Sequence, residues 1–198
     1  MAARPEIVLF DLGGVLLPFD RERRVRTLVR ALKISAEDAR AFMALDLHGR
    51  LDLGQADEQE LTEALSALAG QPASREIAIA LVLSVFEAPN LPLWDFAAGL
   101  KGRVAVGGFS DNPTFVRQVF PDGHALEPMF WSSELGLTKA DARAYAAVER
   151  GLGLNPDSIL LIDDSPANVA LAREIGWDAI HFRANAQVIG ELAERGLE

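Results

Sequence analysis

The chain has 198 residues, about half of them hydrophobic and 24% charged. That length and composition support one buried core and exclude a disordered chain, a collagen and a disulfide scaffold. Cysteine is absent, so disulfides, thiolate metal sites and cysteine nucleophiles are excluded. The formal charge of −10 makes nucleic acid and anionic membranes poor partners, while a small anion held by a metal stays compatible with it. The longest apolar stretch, Ile77 to Phe86, is far shorter than the roughly 20 residues of a membrane helix. The N-terminal run Ile7 to Phe10 is broken by Asp11, which argues against a signal peptide. The sequence therefore reads as a soluble cytoplasmic protein.

Three runs are apolar at successive positions, as in parallel strands covered by helices on both faces. They are Ile7 to Phe10, Arg103 to Val106 leading into Gly107-Gly108-Phe109, and Ile159 to Ile162. Weaker candidates are Pro128 to Trp131 and Ala179 to Phe182. Between the first two strands the pattern turns helical. Val25, Leu28, Val29 and Leu32 share one helical face, and Leu61, Ala64, Leu65 and Leu68 share another after a capping box at Asp57 and Glu60. Ser74 is placed to cap a third helix running towards Phe86, and no strand pattern shows in this region. Further on, Asn112-Pro113 reads as an N-cap with Pro at the first helical position, and Ser165-Pro166 repeats the signal before a stop at Gly176. Tyr145, Val148 and Leu152 lie on one face of a helix between Lys139 and Gly153. Strands alternating with helices predict an α/β fold: a Rossmann-like parallel sheet with helices on both faces, and an all-helical insertion after the first strand.

Ligand sites in such sheets lie at the carboxyl ends of the strands. Asp11 stands directly after the first strand, with Gly13 and Gly14 beside it. A carboxylate there serves as a nucleophile, as a metal ligand or as an ordinary turn residue. Asp163 and Asp164 follow the strand ending at Ile162, where two adjacent acids invite a hard cation. Ser110 ends the second strand before Asp111-Asn112-Pro113, where a hydroxyl and free amides suit phosphate oxygens. Lys139 precedes a helix and would offset phosphoryl charge, although an isolated lysine is more often a surface residue.

Taken together and in order, these residues resemble the haloacid dehalogenase-like (HAD) hydrolase superfamily. Phe10-Asp11-Leu12-Gly13-Gly14-Val15-Leu16 is similar to its first motif and Phe109-Ser110-Asp111-Asn112 to its second. Ser132-Ser133-Glu134-Leu135-Gly136-Leu137-Thr138-Lys139 is similar to the third. Ile162-Asp163-Asp164-Ser165-Pro166-Ala167-Asn168-Val169, with Ala172 and Gly176, is similar to the fourth. The resemblance covers nearly the whole chain and is nearest to small phosphatases with a DLGNV or DLGGV first motif. It implies a core of residues 1–15 and 92–198 and a helical cap of residues 16–91. It also implies a Mg²⁺-dependent phosphatase of a small phosphorylated metabolite, such as a sugar phosphate. Asp11 would attack phosphorus and form an aspartyl-phosphate. Mg²⁺ would bind Asp11, the Gly13 carbonyl and one or both of Asp163 and Asp164. Ser110 would hydrogen-bond the phosphoryl group, with Asp111 and Asn112 beside it, and Lys139 would offset its charge. Phosphoryl transfer asks for this kind of positioning and neutralisation.

The pattern departs at Gly13, where most phosphatases of the superfamily carry a second Asp as general acid and base. Asp111 replaces a frequent Asn, and Ala140 a frequent Pro. These departures keep a second reading open, a catalytically silent relative that binds a phosphorylated ligand or a protein. The acid pair argues for metal and phosphate over carbon–halogen cleavage. Arg21, Arg23, Arg24, Arg26 and Arg30 read as a solvated face paired with Asp20 and Glu22, or as an anion-recruiting patch. His48, His124 and His181 show no metal-ligand spacing, and no role is assigned to them. Trp94, Trp131 and Trp177 are expected in the core, and Phe19 and Asp20 near the pocket. Whether the chain is a monomer or a homodimer is left open.

Overall fold

A computed structural model describes residues 4–198, so the first three residues of the predicted core segment lie outside it. Five strands form one parallel sheet: β1 (Ile7–Phe10), β2 (Ala105–Ser110), β3 (Met129–Trp131), β4 (Ile159–Asp163) and β5 (Asp178–His181). Their spatial order is β3-β2-β1-β4-β5, as expected for the α/β class. β1 is central, and its register aligns Phe10 with Gly108 on one side and Ile162 on the other. The residues just beyond these positions therefore meet at one edge. That edge includes the point between β1 and β4 where the strand order reverses, which is where open α/β sheets bind ligands.

Both sheet faces are buried, so the strands carry apolar residues at successive positions, with polar ones confined to strand ends. Val8 and Phe10 point into one core with Leu160 and Ile162. Ile7 and Leu9 point into the other with Ile159 and Leu161. The second core is closed by an aromatic set in which Tyr145 meets Phe109 and Trp177 edge-on. Trp94 and Trp131 belong to the first, so the three tryptophans are buried as expected.

Helices α1 (Arg21–Leu32), α2 (Ala36–Met43), α3 (Leu47–Asp52), α4 (Glu58–Ala69) and α5 (Arg75–Leu83) lie between β1 and β2. Except at α3, their starts obey the capping rule that a short oxygen-bearing side chain satisfies free amides. Asp20 accepts from the Glu22 amide, Ser35 from Asp38, Asp57 from Glu60 and Ser74 from Ile77. Val25 and Leu28 of α1 and Leu61 and Leu65 of α4 are buried, as their spacing predicts. The capping box at Asp57 is only half formed, because the Glu60 carboxylate turns instead to Arg50 at 2.5 Å. The segment is not wholly free of β structure either. Phe19 and Phe86 form an antiparallel bridge, and the amides of Asp20 and Glu87 donate to Val85 and Pro18. The chain thus leaves the sheet and returns to it side by side. Helix α6 (Leu91–Gly99) follows, fixed by the Trp94 indole donating to the Leu16 carbonyl at 3.0 Å.

Beyond β2, Asn112-Pro113 does not open an α-helix. A 3-10 turn at Thr114–Val119 follows instead, and the Asn112 side chain donates to the Ser110 hydroxyl rather than capping it. Next come α7 (Ser132–Leu135), α8 (Ala142–Leu152), α9 (Pro166–Glu174) and α10 (Asn185–Ala193). Ser165 caps α9 as predicted, and Gly176 stands just past its end in the left-handed region. Among the described residues no helix is long and apolar enough to cross a membrane.

Candidate active site

The carboxyl ends of β1, β2 and β4 open onto a cavity of about 810 Å³. Its wall on the sheet side includes Asp11, Gly13, Asp111, Asn112, Lys139 and Asp164, and its other wall comes from the helical segment. Nearly all of the predicted site residues thus come together, although they derive from four separate stretches of chain.

Asp11 is buried, and its Oδ1 accepts from the Leu12 amide at 2.7 Å. The same oxygen lies 2.8 Å from Lys139 Nζ. Lys139 Nζ also donates to Asp163 Oδ2 at 2.6 Å, so one ammonium bridges two carboxylates. Lys139 is only 2% exposed and Asp163 is fully buried. Burial opposes the ammonium charge, but Asp11, Asp163 and Asp111 overcome it and raise the Lys139 pKa. For Asp11, burial is the largest influence and outweighs Lys139; with Asp163 adding repulsion, the carboxyl is pushed up to about 7.

The surrounding groups hold this pair in place. Asp163 Oδ1 accepts from the Ser165 amide at 2.8 Å and from the Asn168 side chain at 3.1 Å. Its Oδ2 takes Lys139 and, at 3.2 Å, Asn168 again. Both oxygens are therefore occupied by N–H donors. Both Asp111 oxygens accept from the Lys139 backbone amide, at 2.9 and 3.1 Å. Asp111 thus fixes the turn that delivers the lysine, and burial raises its pKa despite Lys139. Ser110 is fully buried behind Asn112, whose side chain donates to its hydroxyl at 3.0 Å, and it does not line the cavity.

Asp164 is half-buried and is raised by burial and by Asp163. Its carboxylate approaches the loop after β1 because residue 14 is glycine. Gly14 has φ +74°, and a Cβ there would collide with the Asp164 carboxylate. One carboxylate oxygen each from Asp11, Asp163 and Asp164 lie within 4.8 Å of one another. Three hard oxygen donors at that spacing fit Mg²⁺. Gly13 presents no side chain to the cavity, and a Cβ there would meet only the Phe19 ring, at 3.8 Å.

The helical wall adds residues that carried no individual role in the sequence pattern. Arg24, His48 and Asp52 all line the cavity. His48 stacks edge-on against Phe42. A signal for Arg24 existed, since it lies four residues before buried Leu28 and so shares the edge of the apolar face. Of the other basic residues on α1, Arg26 pairs with Asp20 at 2.7 Å and Arg23 donates to the Phe86 carbonyl. Phe19 lines the cavity as expected, whereas Asp20 caps α1. His124 pairs with Asp95 at 2.8 Å, and His181 lies 3.0 Å from the Asp164 carbonyl.

A central parallel sheet with acids from three strand ends gathered around one buried lysine defines a class of hydrolase. The chain belongs to the haloacid dehalogenase-like hydrolase family, whose model matches residues 5–176. It is similar to a D-ribitol-5-phosphate phosphatase of Bacteroides thetaiotaomicron, at 22% identity over 93% of this chain and 95% of that protein. A predicted HAD-like hydrolase from Porphyromonas gingivalis superposes with a TM-score of 0.81 at 23% identity, covering 96% of this chain and 98% of that one. A HAD family enzyme of Bacteroides thetaiotaomicron in complex with magnesium and inorganic phosphate superposes with a TM-score of 0.80 at 21% identity, covering 91% and 96%. An L-2-haloacid dehalogenase of Xanthobacter autotrophicus shares the fold less closely, with a TM-score of 0.61 at 18% identity, covering 98% and 84%.

Proposed function

We propose that the protein is a Mg²⁺-dependent phosphatase of a small phosphorylated metabolite. The observation that carries this reading is the convergence of Asp11, Asp163 and Asp164 around Lys139 at the sheet edge. The ribitol-phosphate phosphatase and the relative holding magnesium and phosphate support it. The helical segment, residues 16–91, acts as a cap over residues 1–15 and 92–198.

Residue roles follow from which atoms are free. Asp163 has both oxygens committed to N–H donors, so it serves chiefly to hold Lys139. Asp164, Asp11 and the Gly13 carbonyl are left to hold Mg²⁺, with Asp163 behind them. When bound, the metal supplies positive charge against the phosphoryl oxygens and orients them for in-line attack. An Asp11 carboxylate oxygen forms a bond to phosphorus while the phosphorus–oxygen bond to the leaving group breaks. Lys139 offsets the added negative charge and, against burial, favours the ionised form of Asp11. Asn112 lines the cavity as a donor to the phosphoryl group, and Ser110 acts through it. Water then attacks phosphorus, which releases inorganic phosphate and restores Asp11. With glycine at position 13 no acid from that loop protonates the leaving oxygen, which favours leaving groups that depart as stable anions.

A second reading, a silent binding relative, rests on Gly13 and Asp111. Phosphate release from sugar phosphates, acyl phosphates and p-nitrophenyl phosphate, with and without Mg²⁺, decides between them. Mg²⁺-dependent release that disappears in Asp11→Asn establishes the phosphatase. Silence across the panel in folded protein that binds Mg²⁺ establishes the binder.

A further inference from the structure

The helical wall of the cavity carries three polar side chains that the chain itself leaves without partners. Arg24 Nε and His48 Nε2 are shut off from solvent, yet neither has a hydrogen-bond partner among the described residues. The influences on the Arg24 guanidinium and the Asp52 carboxylate are burial and charge, with no hydrogen bond to either. Buried polar atoms are normally satisfied, so two exceptions in one cavity wall ask for an explanation, and the partly exposed Asp52 carboxylate stands beside them. All three face the space that also contains Asp11, Lys139 and Asp164. His48 and Asp52 are four residues apart on α3 and share one face of it.

We propose that Arg24, His48 and Asp52 form the subsite that binds the hydroxyl groups of the leaving portion of a polyhydroxylated phosphomonoester. This deepens the phosphatase reading and rests on it. The chemistry of the trio selects the ligand. Arg24 offers only donors, and Asp52 once ionised offers only acceptors. Burial and the nearby Arg24 hold His48 at about 4, so it is neutral and gives either a donor or an acceptor. A hydroxyl both donates and accepts, so a run of hydroxyls suits a wall that mixes a guanidinium, a carboxylate and a neutral imidazole. A second anionic group would meet Arg24 but also Asp52 and Asp111, which already repel each other. An alkyl chain would leave every one of these groups unpaired, and a site built for hydroxyls rejects analogues that lack them.

The test compares two hydrolysis-resistant probes of equal length, the methylene phosphonate of ribitol and hexylphosphonate. Each is titrated calorimetrically into the full chain in the presence of Mg²⁺. Wild type is expected to bind the ribitol probe at least about 10-fold more tightly, as charge-assisted hydrogen bonds predict. Arg24→Met and Asp52→Asn are each expected to cut that preference roughly 10-fold, while Arg24→Lys retains part of it. Equal or undetectable binding of the two probes by wild type overturns the proposal, as does a preference unchanged in both Arg24→Met and Asp52→Asn. Phosphate release from ribitol 5-phosphate and p-nitrophenyl phosphate is measured alongside. A binding preference without release overturns the phosphatase and sustains the subsite. Release with equal probe binding does the reverse.

Discussion

The two walls of the cavity are built on opposite plans. On the sheet side the charged groups other than Asp164 are tied to another part of the chain: Lys139 to Asp11 and Asp163, Asp163 to Ser165 and Asn168, and Asp111 to the Lys139 amide. On the helical side Arg24 Nε and His48 Nε2 have no partner among the described residues. The first wall holds its geometry before any ligand arrives, as positioning for phosphoryl transfer requires. The second pairs Arg40 with Glu22 at 3.1 Å, but leaves Arg24, His48 and Asp52 to be completed by what enters. A satisfied network marks the chemistry, and unsatisfied groups mark the recognition.

The largest expected effect lies on the sheet side. Asp11→Asn replaces the attacking carboxylate with an amide that cannot take its place. Phosphate release is expected to fall by at least about 10⁴-fold, while folding, read by circular dichroism, is retained. A loss of only a few fold would show that the network around Asp11 is structural.

Next in size is a gain. Gly13→Asp adds the acid that the first loop lacks, and the Phe19 ring at 3.8 Å leaves room for its Cβ. The rate on alkyl phosphates is expected to rise by roughly 10²–10⁴-fold, the usual worth of a general acid. On p-nitrophenyl phosphate, whose leaving group needs no proton, the rate is expected to change little. A parallel rise on both substrates would separate the effect from leaving-group protonation.

Lys139→Met breaks the sheet-side plan itself. Two buried carboxylates then face each other without a cation. Removing one partner from such a buried cluster costs about 3–5 kcal/mol. Thermal denaturation is expected roughly 6–20 °C lower for a chain of this size. Adding Asp163→Asn relieves the repulsion and is expected to recover part of the loss.

How legible each wall was in the sequence follows from the same contrast. Asp11, Asp163 and Ser110 were found because a continuous apolar run marks a buried strand, and its last residue marks the functional edge. The ties between them were not legible. Lys139 meets Asp163 from 24 residues away, and only the register of β1 with β4 places Asp11 beside that pair. Short elements also escaped. α2 and α3 have eight and six residues, too few for periodicity to stand out. Helix α6 was hidden by a sequence that is apolar at nearly every position, Asp95 excepted. Asn112-Pro113 carried a correct local signal for a helix start, but the Asn112 side chain found Ser110 instead. Arg24 was submerged in a run of arginines whose other members pair or meet solvent, and no sequence rule says which of them a cavity will claim.

The smallest prediction tests what the helical plan costs. Asp52 is pushed up to about 7, chiefly by burial and then by the negative charge of Asp111, against the pull of Arg24. The unfolded chain ionises this group near 3.8, whereas the folded chain keeps its proton until about 7. Between those values the folded state binds more protons, so stability declines as pH rises through that window and stays lower above it. Asparagine does not ionise. The Asp52→Asn variant is therefore expected to match wild type near pH 4. By pH 8 it should be more stable by roughly 1–3 kcal/mol, since solvent on the open side of the carboxylate softens the full effect. Urea denaturation at the two pH values measures the gap. A variant that gains stability at pH 8 while losing its preference for the ribitol probe would show that the unpaired carboxylate is kept for recognition at the expense of the fold. A variant no more stable at pH 8 than at pH 4, relative to wild type, would mean that Asp52 already has a partner in the folded chain, and the contrast between the two walls would fail at that residue.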